Sequence, residues 1–108
     1  MVIHDAHQAI SALKKVLPES FVFVLDTTDR SFIYRSVVSE ELERSIIEFD
    51  RSHGIDVLSR KAQIYINKHG ANTIGFKSIG TNTYLGFCSN ENHPESYLSE
   101  AKRILESE

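Results

Sequence analysis

The sequence has few of the features that mark secreted, membrane-spanning or nucleic-acid-binding proteins. It contains one cysteine, Cys88, so no disulfide can form within the chain, and a reducing compartment is expected. It has no N-terminal apolar run with a basic start, and no apolar stretch approaches the length that spans a membrane. Fifteen acidic residues against twelve Lys and Arg give a net charge of −3, so no basic field attracts phosphates. We therefore expect a cytoplasmic protein without a nucleic-acid partner and without direct membrane insertion, although a partner could recruit it to a membrane surface.

Signatures of catalysis are also missing. The chain has no Gly-rich phosphate loop, G-x-S-x-G elbow, H-E-x-x-H motif or cysteine pair. His4 and His7 lie one helical turn apart, but two imidazoles without an acidic or thiolate partner in sequence reach make a poor metal site. Asp26 and Asp29 fit turn residues that bond the local backbone, and Cys88 fits a packed, inert thiol. We expect no enzyme activity, no catalytic residue, no cofactor and no metal.

The size and composition of the chain fit one globular domain spanning residues 1–108. The sequence has 108 residues, of which 41% are hydrophobic and 25% charged. This length is common for a single domain and too short for two ordinary ones. No internal repeat, linker or low-complexity stretch indicates a second module.

Three strands joined by two tight turns are predicted between Ala62 and Ser89. Apolar and polar residues alternate from Ala62 to Asn67, and two later apolar pairs keep the same period of two: Ile74 with Phe76, and Leu85 with Phe87. Gly and Asn occur in both turns, where hairpin loops demand positive φ angles. Gly75 and Gly86 fall inside strands, where glycine marks either a bulge or a close approach of backbone, and the sequence does not decide between them.

Before this meander, the sequence predicts a helix, a hairpin and a second helix. The first helix runs from Ile3 to Leu17, and Pro18 ends it. The uninterrupted apolar run Phe21 to Leu25 is typical of a strand covered on both faces. Its return strand, Ser31 to Arg35, is predicted to carry Phe32 and Tyr34 on one face.

The middle helix is predicted to begin after a cap at Ser39 and to end at Gly54, with Leu42, Ile46 and Phe49 as its core stripe. Residues Ile55 to Arg60 are expected to be a connection. Asn92 to Glu95 should open the last helix, whose apolar face contains the residues Tyr97, Leu98, Ala101, Ile104 and Leu105.

Two features have no explanation within a single subunit. Ile47 lies off the core stripe of the middle helix among charged residues, where it is either a lone surface isoleucine or part of a partner surface. The strand from Ala62 to Asn67 contains no Pro and no charge between Lys61 and Lys68, so at a sheet edge it would be poorly defended against pairing with another chain.

The predicted order of elements, α-β-β-α-β-β-β-α, resembles that of the roadblock/dynein light chain family over nearly the whole chain. The residues Leu13-Lys14-Lys15-Val16-Leu17-Pro18 through Leu25-Asp26 are similar to the opening of family members found in the lysosomal scaffold complex that recruits Rag GTPases. Phe49-Asp50-Arg51-Ser52-His53-Gly54, followed by Leu58 to Asn67, resembles the end of their middle helix and their third strand. The turn Thr28-Asp29-Arg30 departs from the acidic residue and Gly that many members have there.

This resemblance implies an α+β, profilin-like fold, with a five-stranded antiparallel sheet, helices on both faces, the first strand interior and the third strand at an edge. It further implies a non-enzymatic adaptor or scaffold that binds or regulates a Ras-like small GTPase. The partner would be a second copy or a homologous subunit, joined third strand to third strand with the middle helices side by side. The implied dimer interface contains Glu43, Ile47, Arg51, Gln63, Tyr65 and Asn67.

Two other functional classes remain open from the sequence. One is a chaperone of the type III secretion class, although such chaperones usually have three strands between the first two helices and this chain has room for two. The other is an enzyme or a small-ligand sensor on a profilin-like or PAS-like sheet. Against it, the remaining histidines are scattered over predicted loops and helix ends: His53, His69 and His93.

Overall fold

Five antiparallel strands form one open sheet with helices against both faces. A computed structural model describes residues 3–37, 39–90 and 95–106, and of residues 3–6 it describes the backbone only. The elements are α1 Ile3–Val16, β1 Phe21–Asp26, β2 Ser31–Arg35, α2 Glu40–His53, α3 Ile55–Lys61, β3 Ile64–His69, β4 Asn72–Gly80, β5 Thr83–Ser89 and α4 Glu95–Glu106. The strand order is β2-β1-β5-β4-β3. The predicted α+β class, interior β1 and edge β3 are confirmed. The predicted start of the last helix at residues 92–94 lies outside the described residues.

Strand β1 is buried from both sides, as its unbroken apolar run predicts. Because successive strand side chains point to opposite faces, its residues divide between two cores. Phe21, Phe23 and Leu25 pack in a core with α2 and α3. Val22 and Val24 pack in a core with residues of α1 and α4. The sheet is therefore the middle layer of three.

The prediction that Phe32 and Tyr34 share one face is wrong. In the β1–β2 ladder Val24 pairs with Tyr34 and Leu25 with Phe32, so Ile33 is an extra residue and forms a β-bulge. The extra residue shifts the alternation by one, which places Phe32 in the core under α2 and Tyr34 against the core under α1 and α4. Ile33 itself is 51% exposed at the edge of the sheet.

The segment predicted as a connection from Ile55 to Arg60 is the helix α3. The preceding helix α2 begins after Ser39, whose hydroxyl accepts the Leu42 N–H at 3.3 Å, and ends at Gly54. Gly54 has a φ of 75° and serves as the C-cap of α2 and the N-cap of α3. Seven residues complete only two turns, which is too short for an apolar period to stand out.

The glycines inside β4 and β5 mark a close approach of backbone and ring. A Cβ on Gly75 would lie 2.4 Å from Phe87 Cε1, and one on Gly86 would lie 2.4 Å from the Gly75 carbonyl oxygen. The irregularity in the β4–β5 ladder falls instead between Ser78 and Gly80. Close packing, and not a bulge, therefore explains both glycines.

Candidate functional site

Strand β3 is a regular strand at one edge of the sheet. It pairs with β4 without a register shift from Ile64, opposite Lys77, to His69, opposite Asn72. It stands last in the strand order, so no other strand of the described chain lies against its outer side. The edge starts later than predicted, because the Ala62 N–H donates to the Leu58 carbonyl at 3.2 Å and closes α3. Gln63 is thus a bend before the strand and not part of it.

The two faces of β3 contribute to the two cores. Ile64 and Ile66 pack against the core under α1 and α4. Tyr65 lies on the other face, where its ring stacks on Phe76 with the centroids 4.9 Å apart. Tyr65 is therefore partly an anchor of its own subunit, while Asn67 is exposed.

Two histidines and two aromatic residues meet where α2 ends above β3, and we call Phe49, His53, Tyr65 and His69 the histidine cluster. The His53 ring stacks on Phe49 at 4.7 Å, and its centroid lies 5.2 Å from that of His69. His69 Nε2 lies 2.6 Å from the Tyr65 hydroxyl oxygen, and the His69 ring meets Phe49 edge-on at 4.5 Å. Partial burial lowers the pKa of His69, and the nearby His53 lowers it further.

Sequence reasoning missed this convergence, although two local spacings point to it. Phe49 and His53 are four residues apart on α2, which places them on one side of the helix. Tyr65 and His69 are four apart on β3, which places them on one face of the strand. Only the packing of α2 over β3 joins the two pairs.

The predicted interface residues of α2 lie together on its outer surface. A shallow depression of about 590 Å³ is lined by six residues, namely Glu40, Glu43, Arg44, Ile47, Glu48 and Arg51. Ile47 is half-buried there and belongs to neither core of the described chain. Glu43 accepts a hydrogen bond from Arg35 Nε of β2 at 2.9 Å.

The structure does not bring Ile47 next to the β3 edge. One flank of α2 contacts the β1–β2 hairpin, through Glu43 with Arg35 and through Asp50 with Arg30. The opposite flank contacts the β3–β4 hairpin, through Ser45 with Asn72 and through the histidine cluster. Ile47 lies one turn after Glu43 and one turn before Asp50, which places it towards the first flank. A partner that touches both Ile47 and β3 must therefore extend across the outer surface of α2.

The remaining candidate groups have local roles. Asp26 Oδ1 accepts the Thr28 N–H at 2.9 Å, and Asp29 Oδ1 accepts the Ser31 N–H at 3.2 Å, which confirms both as turn residues. Cys88 is buried, and desolvation raises the pKa of its thiol to about 12. Over the described ranges, no group of three His, Cys, Asp or Glu side chains could hold a metal ion. His7 is exposed, and the side chain of His4 lies outside the described part.

Within the residues that the structure describes, no helix combines the length and the apolar character needed to cross a bilayer. In comparisons with known proteins, no protein-family model and no curated protein matches the chain. The candidate site is therefore defined by the chain's own geometry, with the β3 edge and the histidine cluster on one side and the outer surface of α2 on the other.

Proposed function

We propose that this chain is a non-enzymatic adaptor or scaffold that pairs through its β3 edge with a second copy of itself or with a homologous subunit. The paired unit binds or regulates a Ras-like small GTPase. One observation carries the proposal: β3 offers six residues in unbroken register with β4 and has no strand on its other side within the described chain. The outer side of an edge strand can form backbone hydrogen bonds with an incoming strand.

The contrast with the other sheet edge supports β3 as the pairing edge. Strand β2 has five residues and is interrupted by the bulge at Ile33, and bulges are one of the devices that protect edges. Arg35, at the end of β2, is tied to Glu43. Strand β3 has neither a bulge nor a proline, and its only charged residue is Lys68. Of the two edges, β3 is the less defended.

The GTPase part of the proposal has a different support. It comes from the order of elements and from the local likeness of Leu13 to Pro18 and of Phe49 to Gly54 to the roadblock/dynein light chain family. The two strands between α1 and α2 and the helix α2 between β2 and β3 agree with that order. The additional short helix α3 is inserted just before β3.

The pairing edge is tested by sedimentation velocity on two matched lysine variants. Asn67→Lys places a charge on the exposed part of β3, and Ile33→Lys places one on the exposed bulge of β2. Both positions are exposed, so both variants should fold. We expect wild type and Ile33→Lys to be dimers at tens of micromolar and Asn67→Lys to be a monomer. If Ile33→Lys alone dissociates the dimer, the pairing edge is β2 and the proposal is wrong.

Two further results separate the other parts of the proposal. Ile47→Asp dissociates the dimer only if the partner reaches across the outer surface of α2. A wild-type chain that is monomeric at this concentration removes the homodimer and leaves pairing with a homologous subunit. Affinity isolation at low salt then tests the partner class: a stoichiometric Ras-like GTPase supports the adaptor, whereas an extended secreted segment without a GTPase supports the secretion-chaperone class.

A further inference from the structure

We propose that His53 and His69 act as a proton-sensitive latch that holds the end of α2 onto β3, so that acidification loosens the latch and weakens pairing at the β3 edge. The latch itself lies within one subunit. Its effect on association rests on the proposed function of β3, and the two parts are tested separately below.

The geometry makes His69 the link between the helix and the edge strand. His69 is the last residue of β3, and its ring contacts Phe49 at 4.5 Å and lies 5.2 Å from His53, both on α2. Its Nε2 is 2.6 Å from the Tyr65 hydroxyl oxygen, so the imidazole is fixed from its own strand as well. The Phe49 and Tyr65 rings, 5.9 Å apart, also join α2 to β3.

The surroundings of the two imidazoles do not compensate a positive charge. Among the described residues that contact the two imidazoles, two are neutral: Phe49 on α2, and Asn72 on β4, which lies opposite His69. The other is Tyr65 on β3, whose hydroxyl is titratable. Arg51 and Lys68, near in sequence, are cations, and Lys68 lies on the opposite face of β3 from His69. The nearest carboxylates in sequence are hydrogen-bonded elsewhere: Asp50 to Arg30 and the Ile55 N–H, and Asp56 to Thr27 and Tyr84. A second proton in the cluster therefore places two like charges about 5 Å apart, one of them on the partly buried His69.

The sign of the effect follows from linkage. A histidine whose pKa is lowered in the packed state binds its proton more readily when the packing opens. The packed state loses stability as the pH falls below the ordinary value of 6.5, and the loss levels off below the lowered pKa. A strand added to β3 buries the cluster further, so association should also favour the neutral imidazoles.

The first experiment measures the latch within one subunit. Imidazole resonances are titrated by NMR in wild type and in His53→Gln, a substitution at an exposed position. We expect the pKa of His69 to lie below the ordinary value of 6.5 and to rise towards it in His53→Gln. The urea concentration at the midpoint of unfolding should decrease when the pH is lowered from 7.5 to 5.5. His53→Gln should make this decrease smaller, and His7→Gln should leave it unchanged. A His69 that titrates at the ordinary value of 6.5 in both proteins overturns the latch.

The second experiment measures association by sedimentation velocity over the same pH range. We expect the dimer dissociation constant of wild type to rise about tenfold from pH 7.5 to 5.5, because association favours the neutral imidazole in each copy. His53→Gln should show a smaller rise, and His7→Gln the full rise. A dimer that is indifferent to pH contradicts the effect on the edge but not the pairing itself. A chain that is monomeric at both pH values contradicts self-pairing, while the titration still decides the latch.

Discussion

Asp50 should be sensitive to substitution, because its buried carboxylate on α2 binds both the start of α3 and the β1–β2 turn. Asp50 is 7% exposed, and its Oδ1 accepts the Ile55 N–H at 2.9 Å at the start of α3. Its Oδ2 accepts a hydrogen bond from Arg30 Nε at 2.8 Å at the β1–β2 turn. The backbone carbonyl oxygen of Asp50 accepts the Gly54 N–H at 2.8 Å. The side chain therefore fixes both the end of α2 and the hairpin beside it.

The expected cost of removing this carboxylate can be worked from those contacts. Asp50→Ala removes two hydrogen bonds to a charged acceptor, worth about 1.5–3 kcal/mol each, and leaves the buried Ile55 N–H without an acceptor. Because such terms are not additive, we expect a loss of about 3–4 kcal/mol in the free energy of unfolding. Asp50→Asn keeps an oxygen for Ile55 and should cost about 1–2 kcal/mol. Arg30→Ala should cost about 1 kcal/mol, since the Arg30 side chain is 42% exposed.

Urea unfolding of wild type, the three single variants and the double variant Asp50→Ala/Arg30→Ala measures these values. In the double variant, the loss should be smaller than the sum of the two single losses, because Arg30 has no partner left to lose. An Asp50→Ala protein within about 0.5 kcal/mol of wild type, the range of ordinary surface substitutions, would refute the reasoning.

Three other outcomes follow from buried groups. Gly86→Ala should destabilise the fold by about 3 kcal/mol or more and exceed Gly75→Ala, because the new Cβ of Gly86 meets a backbone oxygen as well as side chains, whereas that of Gly75 meets side chains; the two urea midpoints show the order. The Cys88 thiol, buried and with its pKa raised to about 12, should resist a thiol reagent at pH 8 in the folded protein and react once urea unfolds it, whereas fast labelling of the folded chain contradicts the burial. Burial, and the Asp56 carboxylate 2.5 Å from the Tyr84 hydroxyl, raise the pKa of Tyr84, so absorbance should show this phenol ionising above its ordinary value of 10.0. Because the unfolded phenol ionises near 10, stability should fall above about pH 10, and Tyr84→Phe should reduce that fall.

The sequence predicted an element correctly where its apolar residues keep one spacing along the whole element. The apolar residues of β1 occupy both faces, so their lack of alternation indicates burial from both sides, and Leu42, Ile46 and Phe49 recur at helical spacing on α2. Caps at Ser39 and Gly54 bounded that helix correctly. These signals are local, and the packing agrees with them.

The errors lie where one residue changes the period or where a turn of helix is short. The bulge at Ile33 separates Phe32 from Tyr34 without any glycine or proline to announce it. The last turn of α3 takes Ala62 out of the predicted strand and leaves Gln63 in a bend. Both depend on backbone hydrogen bonds that side-chain patterns do not encode.

The candidate site was less accessible to sequence reasoning than the fold. The edge position of β3 depends on the order of the strands in the sheet. The resemblance implied that order, whereas the apolar–polar alternation along the strand could not. The meeting of His53 and His69 depends on where α2 crosses the sheet, and the same crossing turns Ile47 towards the β1–β2 hairpin. The predicted interface residues therefore stay predictions and are distributed over two surfaces: Glu43, Ile47 and Arg51 on α2, and Gln63, Tyr65 and Asn67 on or next to β3.

Hydrogen–deuterium exchange of the backbone amides at low and high protein concentration tests the pairing of β3 most directly. An amide of an unpaired edge exchanges freely with solvent, and an added strand protects it. We expect amides between Ile64 and His69 that point away from β4 to gain protection as the concentration rises, while those of β2, Ser31–Arg35, remain unchanged. Exchange in β3 that is independent of concentration, or protection gained in β2 alone, would contradict the account.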